Sequence, residues 1–155
     1  MAPPSLTRGV KLLIKIGNGA SPTEVFTALC SINAQRGITF NSQTNDETVP
    51  DCTDLEKIAW IVREVESLSV EVSGGGKANK PDVPKLFNWW KSGESKNIQI
   101  ILDDATAANV ITFAGAFKLT SFEVTGDRGG KAELTMSLAS DGEVTGTFGA
   151  NVTPS

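Results

Sequence analysis

Two pairs of adjacent carboxylates, Asp46-Glu47 and Asp103-Asp104, are the residues whose types and spacing could bind a metal ion or transfer protons. Both pairs lie in polar stretches typical of turns, where an aspartate often hydrogen-bonds its own backbone. Acid–base catalysis needs groups positioned in a pocket, which adjacency alone does not supply. The chain has no histidine, and this excludes Ser–His–Asp and Cys–His machinery and His-ligated metals. The sequence therefore predicts no catalytic, metal or cofactor site.

Glycine and tryptophan residues provide two further candidate sites. The triplet Gly74-Gly75-Gly76 could cradle a phosphate, but no Lys-Ser/Thr follows it, so an ordinary turn is favoured. Trp60, Trp89 and Trp90 could form a platform for sugars or bases. Aromatic side chains dominate cores and subunit interfaces, and packing of that kind is the favoured interpretation of these three residues.

Composition restricts the class of protein further. The chain has 155 residues, with 14 Lys and Arg against 18 Asp and Glu, and a net charge of −4. This length suits a single domain over residues 1–155 that needs no disulfide. Sequence-independent capture of nucleic acid needs clustered cations, which an acidic chain does not favour. We expect Cys30 and Cys52 to be free thiols, buried or half-buried.

The N-terminal sequence lacks the layout of a signal peptide, and no apolar run is long enough to span a membrane. The chain is therefore expected to be made and kept in the cytoplasm, with no membrane partner.

Alternating apolar and polar residues predict many short strands and one helix. The helix is expected at 82–92, with Asp82 as its cap, Pro84 in its first turn and Gly93 closing it. Residues 55–65 fit either a short helix or a strand, and the helix is preferred. A long loop is expected at 44–54, an N-terminal arm at 1–8 and a C-terminal tail at 149–155. Strands are predicted at 10–16, 24–32, 37–43, 67–73, 97–102, 110–117, 119–125, 131–138 and 144–148.

This order of elements predicts a mainly β fold, an antiparallel β-sandwich or barrel with one flanking α-helix. Four of the strands share an unusual face of short polar side chains. An ordinary solvated face would show the same alternation, but would carry more long charged side chains. A smooth, weakly acidic surface lets a polyanion pass without binding, because phosphate affinity comes from clustered cations. The residues of this face are Thr39, Asn41, Gln43, Ser67, Ser69, Glu71, Ser73, Ser121, Glu123, Thr125, Lys131, Glu133, Thr135 and Ser137.

The segment from residue 67 onward resembles the tail tube proteins of long-tailed, non-contractile bacteriophages (siphophages) and of gene transfer agents. The resemblance is carried by SLSVEVSGGGKANKPDVPKLFNWWKSGESKNIQIIL and by VITFAGAFKLTSFEVTGDRGGKAELTMSLASDGEVTGTF. The second stretch contains Gly-Ala-Phe-x-x-x-Ser-x-x-x-x-Gly. The earlier ITFNSQTNDETVPDCTD resembles the family's first inner strand and the long loop after it.

The resemblance implies a virion structural protein whose homohexameric rings stack into a hollow tube. Four strands of each subunit would close a barrel around the DNA channel, and the polar face would line its lumen. Glu71, Glu123 and Glu133 would make the lining acidic, with Lys131 partly offsetting them. The loop at 44–54 and the arm at 1–8 would contact the adjacent ring. Implied partners are the tape measure protein, a tail terminator, a distal tail or hub protein, and double-stranded DNA passing without specific binding.

Three other functions remain open from the sequence. The chain could be the inner tube of a contractile or type VI system, which shares the fold that the resemblance implies. It could be a monomeric β-sandwich that binds carbohydrate or a protein ligand through its tryptophans. An enzyme is the least favoured, because no acid–base constellation survives.

Overall fold

The computed structural model describes residues 12–19, 24–28, 31–102 and 107–152. This part of the chain forms eight strands and one α-helix. The strands are β1 (Leu12–Gly17), β2 (Phe26–Ala28), β3 (Gln35–Val49), β4 (Trp60–Lys77), β5 (Lys96–Leu102), β6 (Ile111–Thr125), β7 (Glu133–Ser140) and β8 (Thr145–Phe148); the helix is α1 (Asp82–Ser92), and a 3-10 turn spans Ala107–Asn109. The predicted arm at 1–8, Cys30, Asp103-Asp104 and residues 153–155 of the predicted tail lie outside the described residues.

All described strand pairs are antiparallel and belong to one sheet, in the order β2-β1-β5-β6-β7-β4-β3. The long strand β6 joins the two halves of this sheet. Its residues 111–117 pair with β5, while residues 117–125 pair with β7. The short strand β8 pairs with the start of β6. The mainly β, antiparallel fold with a flanking helix is thus confirmed.

One hydrophobic core joins both halves of the sheet and the helix. Ile14 of β1 and Ile98 of β5 pack in the same cluster as Val72 of β4 and Leu138 of β7, and all four are almost completely buried. Phe117, at the point where β6 changes partners, has no exposed surface. Burial of such apolar surface is the main stabilising contribution to the fold.

The helix α1 covers this core with Leu86 and Trp89, which are 1% and 3% exposed. Gly93 ends the helix in the left-handed conformation, with φ of 69°, and its N–H donates to the Trp89 carbonyl. Glycine adopts that conformation without steric cost, as the sequence predicts. The predicted cap is wrong, because Pro81 occupies the cap position and Asp82 is the first helical residue. The Asp82 carboxylate is buried and instead accepts hydrogen bonds from the backbone N–H and the hydroxyl of Ser31.

The region expected to be a loop at 44–54 and a helix at 55–65 is largely a β-hairpin. Strand β3 continues to Val49 and β4 begins at Trp60, so only residues 50–59 form the connection. A register shift after Gln43 places Val65 opposite Thr44 and leaves Glu66 as the extra residue of a β-bulge. Residues 60–65 are exposed on both faces of β4, so their apolar side chains do not alternate, and residues 55–59 belong to the connection; this is why 55–65 give a pattern resembling a helix.

Two other strand boundaries differ from those predicted from the sequence. The strands predicted at 110–117 and 119–125 are one strand, β6, with a bulge at Thr120 that changes the alternation. The glycine triplet at 74–76 continues β4 and does not form a turn. A Cβ on Gly75 would approach the Leu134 carbonyl oxygen to 3.0 Å, so glycine permits the close approach of β7.

Candidate functional site: the polar face of four strands

The strands β3, β4, β7 and β6 lie side by side in that order, and the predicted polar residues meet in rows across them. Directly opposed residues on neighbouring strands share a face of the sheet. Thr39 lies opposite Glu71, and Asn41 and Gln43 lie opposite Ser69 and Ser67. The predicted residues from the four strands therefore share one continuous face, which we call the polar face.

The same rows continue through the other two strands. Ser73 lies opposite Ser137, which lies opposite Ser121. Thr135 and Glu123 are partners, as are Glu133 and Thr125. All of these side chains are exposed. The predicted residue outside the rows is Lys131, which is exposed but precedes β7.

The opposite face of the same strands is the wall of the core. Val72 pairs with Leu138, which pairs with Leu119, and all three are buried. Met136 and Leu134 continue this wall along β7. Because core packing fixes this side, the register cannot slip by one residue without moving the apolar set into solvent. The polar face is therefore held in place by residues that do not belong to it.

The charge on the polar face includes a residue that sequence reasoning missed. Lys77 lies opposite Glu133, and its amine is 2.7 Å from the Glu133 Oε1 atom. The hydrogen bond and charge of Lys77 lower the pKa of Glu133 below its ordinary value. Glu71 and Glu123 have no ion-pair partner among the described residues. The sequence carries no signal for this pair, because the glycines at 74–76 are typical of a turn and only the structure shows β4 continuing through them to Lys77.

Both edges of the four strands are open within the described chain. Strand β3 pairs along its length with β4. The other side of its outer half, residues 44–49, has no strand beside it. Residues 118–125 of β6 pair with β7 on one side only. Open edges expose unpaired backbone groups and favour pairing with another strand.

The outer half of the β3–β4 hairpin, residues 44–65, exposes apolar side chains on both of its faces. Trp60 and Val62 share one face and are 84% and 51% exposed, whereas Ile61 on the other face is 54% exposed. Ile58 at the tip is 90% exposed. Exposed apolar patches of this kind mark interaction surfaces. Cys52 in the tip is also exposed, so the expectation of a buried or half-buried thiol is wrong for this residue.

The tryptophans do not assemble into a binding platform. Trp89 is buried in the core, and its indole N–H donates to the Glu94 carbonyl at 2.7 Å. Trp90 is exposed on α1, whereas Trp60 lies on the hairpin. Because Trp89 is buried and the other two tryptophans lie on different elements, the three rings do not share one exposed surface.

The carboxylate pair Asp46-Glu47 lies in β3 and not in a turn, so its two side chains point to opposite faces. Asp46 accepts a hydrogen bond from the Thr44 hydroxyl and lies 3.4 Å from the Arg63 side-chain nitrogen across the hairpin. Within the described ranges, no three metal-binding side chains cluster together. No helix in the described part of the chain has the length and apolar character that crossing a membrane requires.

The two open sheet edges are places where further copies of a chain can add. The model of the phage tail tube protein family matches residues 6–146, and the chain belongs to this family. It is therefore a structural tail tube subunit, and its place is the tail of a phage or phage-like particle. Curated protein sequences contain no significant match to the chain.

Solved tail structures share the fold. A chain from the tail of an empty gene transfer agent particle with C6 symmetry is 27% identical, with a TM-score of 0.68 over 92% of this chain and 99% of that chain. The SPP1 tail tube is 11% identical, with a TM-score of 0.60 over 94% of this chain and 82% of that one. A chain of the PVC contractile sheath–tube complex is 14% identical, with a TM-score of 0.60 over 92% of each chain. The last two show likeness of fold alone.

Proposed function

We propose that six copies of this chain form a ring, that the rings stack into a tube, and that the polar face lines a conduit for double-stranded DNA. The observation that carries this proposal is the row-by-row continuity of short polar side chains across four adjacent strands. A ring closed through both open edges would satisfy the backbone groups that a monomer exposes. The C6 symmetry of the similar gene transfer agent tail supports six copies.

The lining would be weakly acidic and smooth. Each subunit contributes Glu71 and Glu123, which no cation in the described chain neutralises, and the pair formed by Glu133 and Lys77. The remaining side chains are mostly hydroxyls and amides. Such a lining repels phosphates weakly and offers no clustered cations, so DNA would slide past without being held. The role is structural, with no catalytic step.

During assembly the same channel would hold the tape measure protein. A terminator would close one end of the tube, and a distal tail or hub protein would join the other. The exposed apolar residues of the β3–β4 hairpin would contact the adjacent ring, together with the N-terminal arm. The ring-to-ring contact would then cover residues 44–65, somewhat beyond the predicted loop at 44–54.

Negative-stain microscopy of the purified protein tests this function directly. Rings or tubes are expected, with a single-ring mass six times the 16.4 kDa of one chain. A chain that remains monomeric at all attainable concentrations would refute the tube.

Charge reversal tests the lining. Replacement of Glu71, Glu123 and Glu133 by Lys should leave assembly intact but slow DNA ejection from complemented particles. A control variant, Glu94→Lys with Asp127→Lys, adds positive charge at exposed positions outside the polar face. Equal ejection by both variants would show that the polar face does not line the channel.

A further inference from the structure

An aromatic pair on α1 lies exposed beside the open edge of β6. Phe87 and Trp90 are 46% and 51% exposed, with ring centroids 6.3 Å apart. Together with Phe122 they border a depression of about 420 Å³. The buried side of the helix is formed by Leu86 and Trp89, so the aromatic pair faces outward and lies outside the buried core cluster.

An apolar groove lies beside the open edge of β3. Its walls are Phe40 and Leu68 on one side and Phe148 with Val144 on the other, and it encloses about 520 Å³. Phe113 forms its floor, with ring centroids 5.1 Å from Phe40 and 6.2 Å from Phe148. Phe40 and Leu68 are 56% and 78% exposed, so the groove is open to a partner.

The two surfaces lie at opposite edges of the same four strands and on the same side of the sheet. Phe122 is paired with Met136, and Phe40 with Val70, which places both on the side away from the polar face. A rotationally symmetric ring is closed by heterologous contacts, in which two different surfaces of each copy meet. Ring closure would therefore bring the α1 edge of one copy to the β3 edge of the next.

The two surfaces also carry charges of opposite sign. Lys91 follows Trp90 on α1, and Glu143 lines the groove. Both side chains are exposed, and neither forms an ion pair within the described ranges. Opposite charges at the rim of a contact select the correct partner and orientation.

We propose that Phe87 and Trp90 of one copy insert into the apolar groove of the neighbouring copy in the same ring, with Lys91 pairing with Glu143 across the contact. The proposal rests on the ring proposed above. It assigns the contact between neighbours in a ring to α1 and the groove, and leaves the β3–β4 hairpin for the contact between rings.

The experiment measures the protein concentration at half-maximal ring formation, by sedimentation velocity and negative-stain microscopy. Trp90→Ala should raise this concentration roughly tenfold or more, as truncation of a buried interface aromatic does. Trp60→Ala is the matched control, because it removes an exposed tryptophan from the hairpin. It should leave single rings unaffected and shorten the tubes.

Charge reversal provides a second test that does not depend on packing. Lys91→Glu and Glu143→Lys should each weaken ring formation several-fold, and the double variant should recover it to within about twofold of the original chain. Lys85→Glu, on the same helix but outside this surface, should have no effect.

The outcomes separate the two proposals. If the original chain forms no rings, the proposed function fails. If it forms rings and Trp90→Ala does so at the same concentration, or if the two charge reversals do not compensate, the assignment of this contact is wrong while the tube stands.

Discussion

The buried carboxylate of Asp82 permits a quantitative test of how the helix is attached to the rest of the fold. Its Oδ2 atom accepts from the Ser31 N–H at 3.0 Å and from the Ser31 hydroxyl at 2.9 Å. The same hydroxyl accepts from the Asn79 N–H at 2.7 Å. Ser31 is fully buried and Asp82 is 3% exposed, so water cannot replace these bonds.

Asp82→Ala removes the shared acceptor and leaves two buried donors unpaired. Each hydrogen bond to a charged group is worth about 1.5 kcal/mol or more, so the free energy of unfolding should fall by about 3 kcal/mol. For a chain of this length that loss corresponds to a decrease in Tm of roughly 6–12 °C. Urea unfolding followed by circular dichroism measures the change, and Asp127→Ala is the control at an exposed turn.

The double variant Ser31→Ala with Asp82→Ala separates the bond from other effects. It should cost less than the sum of the single variants, because the interaction can be lost only once. If Asp82→Ala changes the free energy of unfolding by less than about 1 kcal/mol, or if the two losses add, the hydrogen bonds do not hold the helix as argued.

The pairing of Lys77 with Glu133 predicts that Lys77→Met raises the pKa of Glu133 toward its ordinary value, as an NMR titration of the side chain would show. Because the folded-state pKa is lowered, any stability from this pair is present at neutral pH and is lost as the pH falls through that pKa. An unchanged Glu133 pKa in the variant would contradict the pairing. Gly76→Ala should lower Tm, because the new Cβ would collide with the side-chain oxygen of Asn33. That oxygen accepts a hydrogen bond from the Lys77 N–H at 3.0 Å, which the collision would disturb. An unchanged Tm would show that Asn33 moves freely. Ile58→Ser should leave the unfolding midpoint nearly unchanged, because the side chain is 90% exposed, but it should shorten the assembled tubes. Tubes of normal length would show that the hairpin tip takes no part in the ring-to-ring contact.

Alternation along single strands was enough to predict the polar face from sequence. The period of two in β4 and β7 separates residues such as Ser69 and Thr135 from Val70 and Leu134, and a buried core wall makes that separation strict. The helix was also predictable. Proline, as at position 84, suits the first turn of a helix, and Gly93 adopts the left-handed conformation that ends one.

Features that depend on pairing between distant segments were not predictable in the same way. The bulges at Glu66 and Thr120 shift the pattern by one residue, and only the partner strand shows where this happens. The Lys77–Glu133 pair likewise joins two strands far apart in the chain. Asp82 resembles a helix cap in sequence, yet its partner Ser31 belongs to a segment that nothing near Asp82 specifies.

The change of partners along β6 has a mechanical consequence. Its first half is bonded to β5 and β8 and its second half to β7, and Phe117 anchors the point between them in the core. Detaching either half of the sheet from β6 requires breaking a hydrogen-bond ladder and exposing part of the shared core. A pull on one half is carried by the covalent backbone of β6 into the other half. The subunit should therefore respond to load as one body and unfold in a single cooperative step.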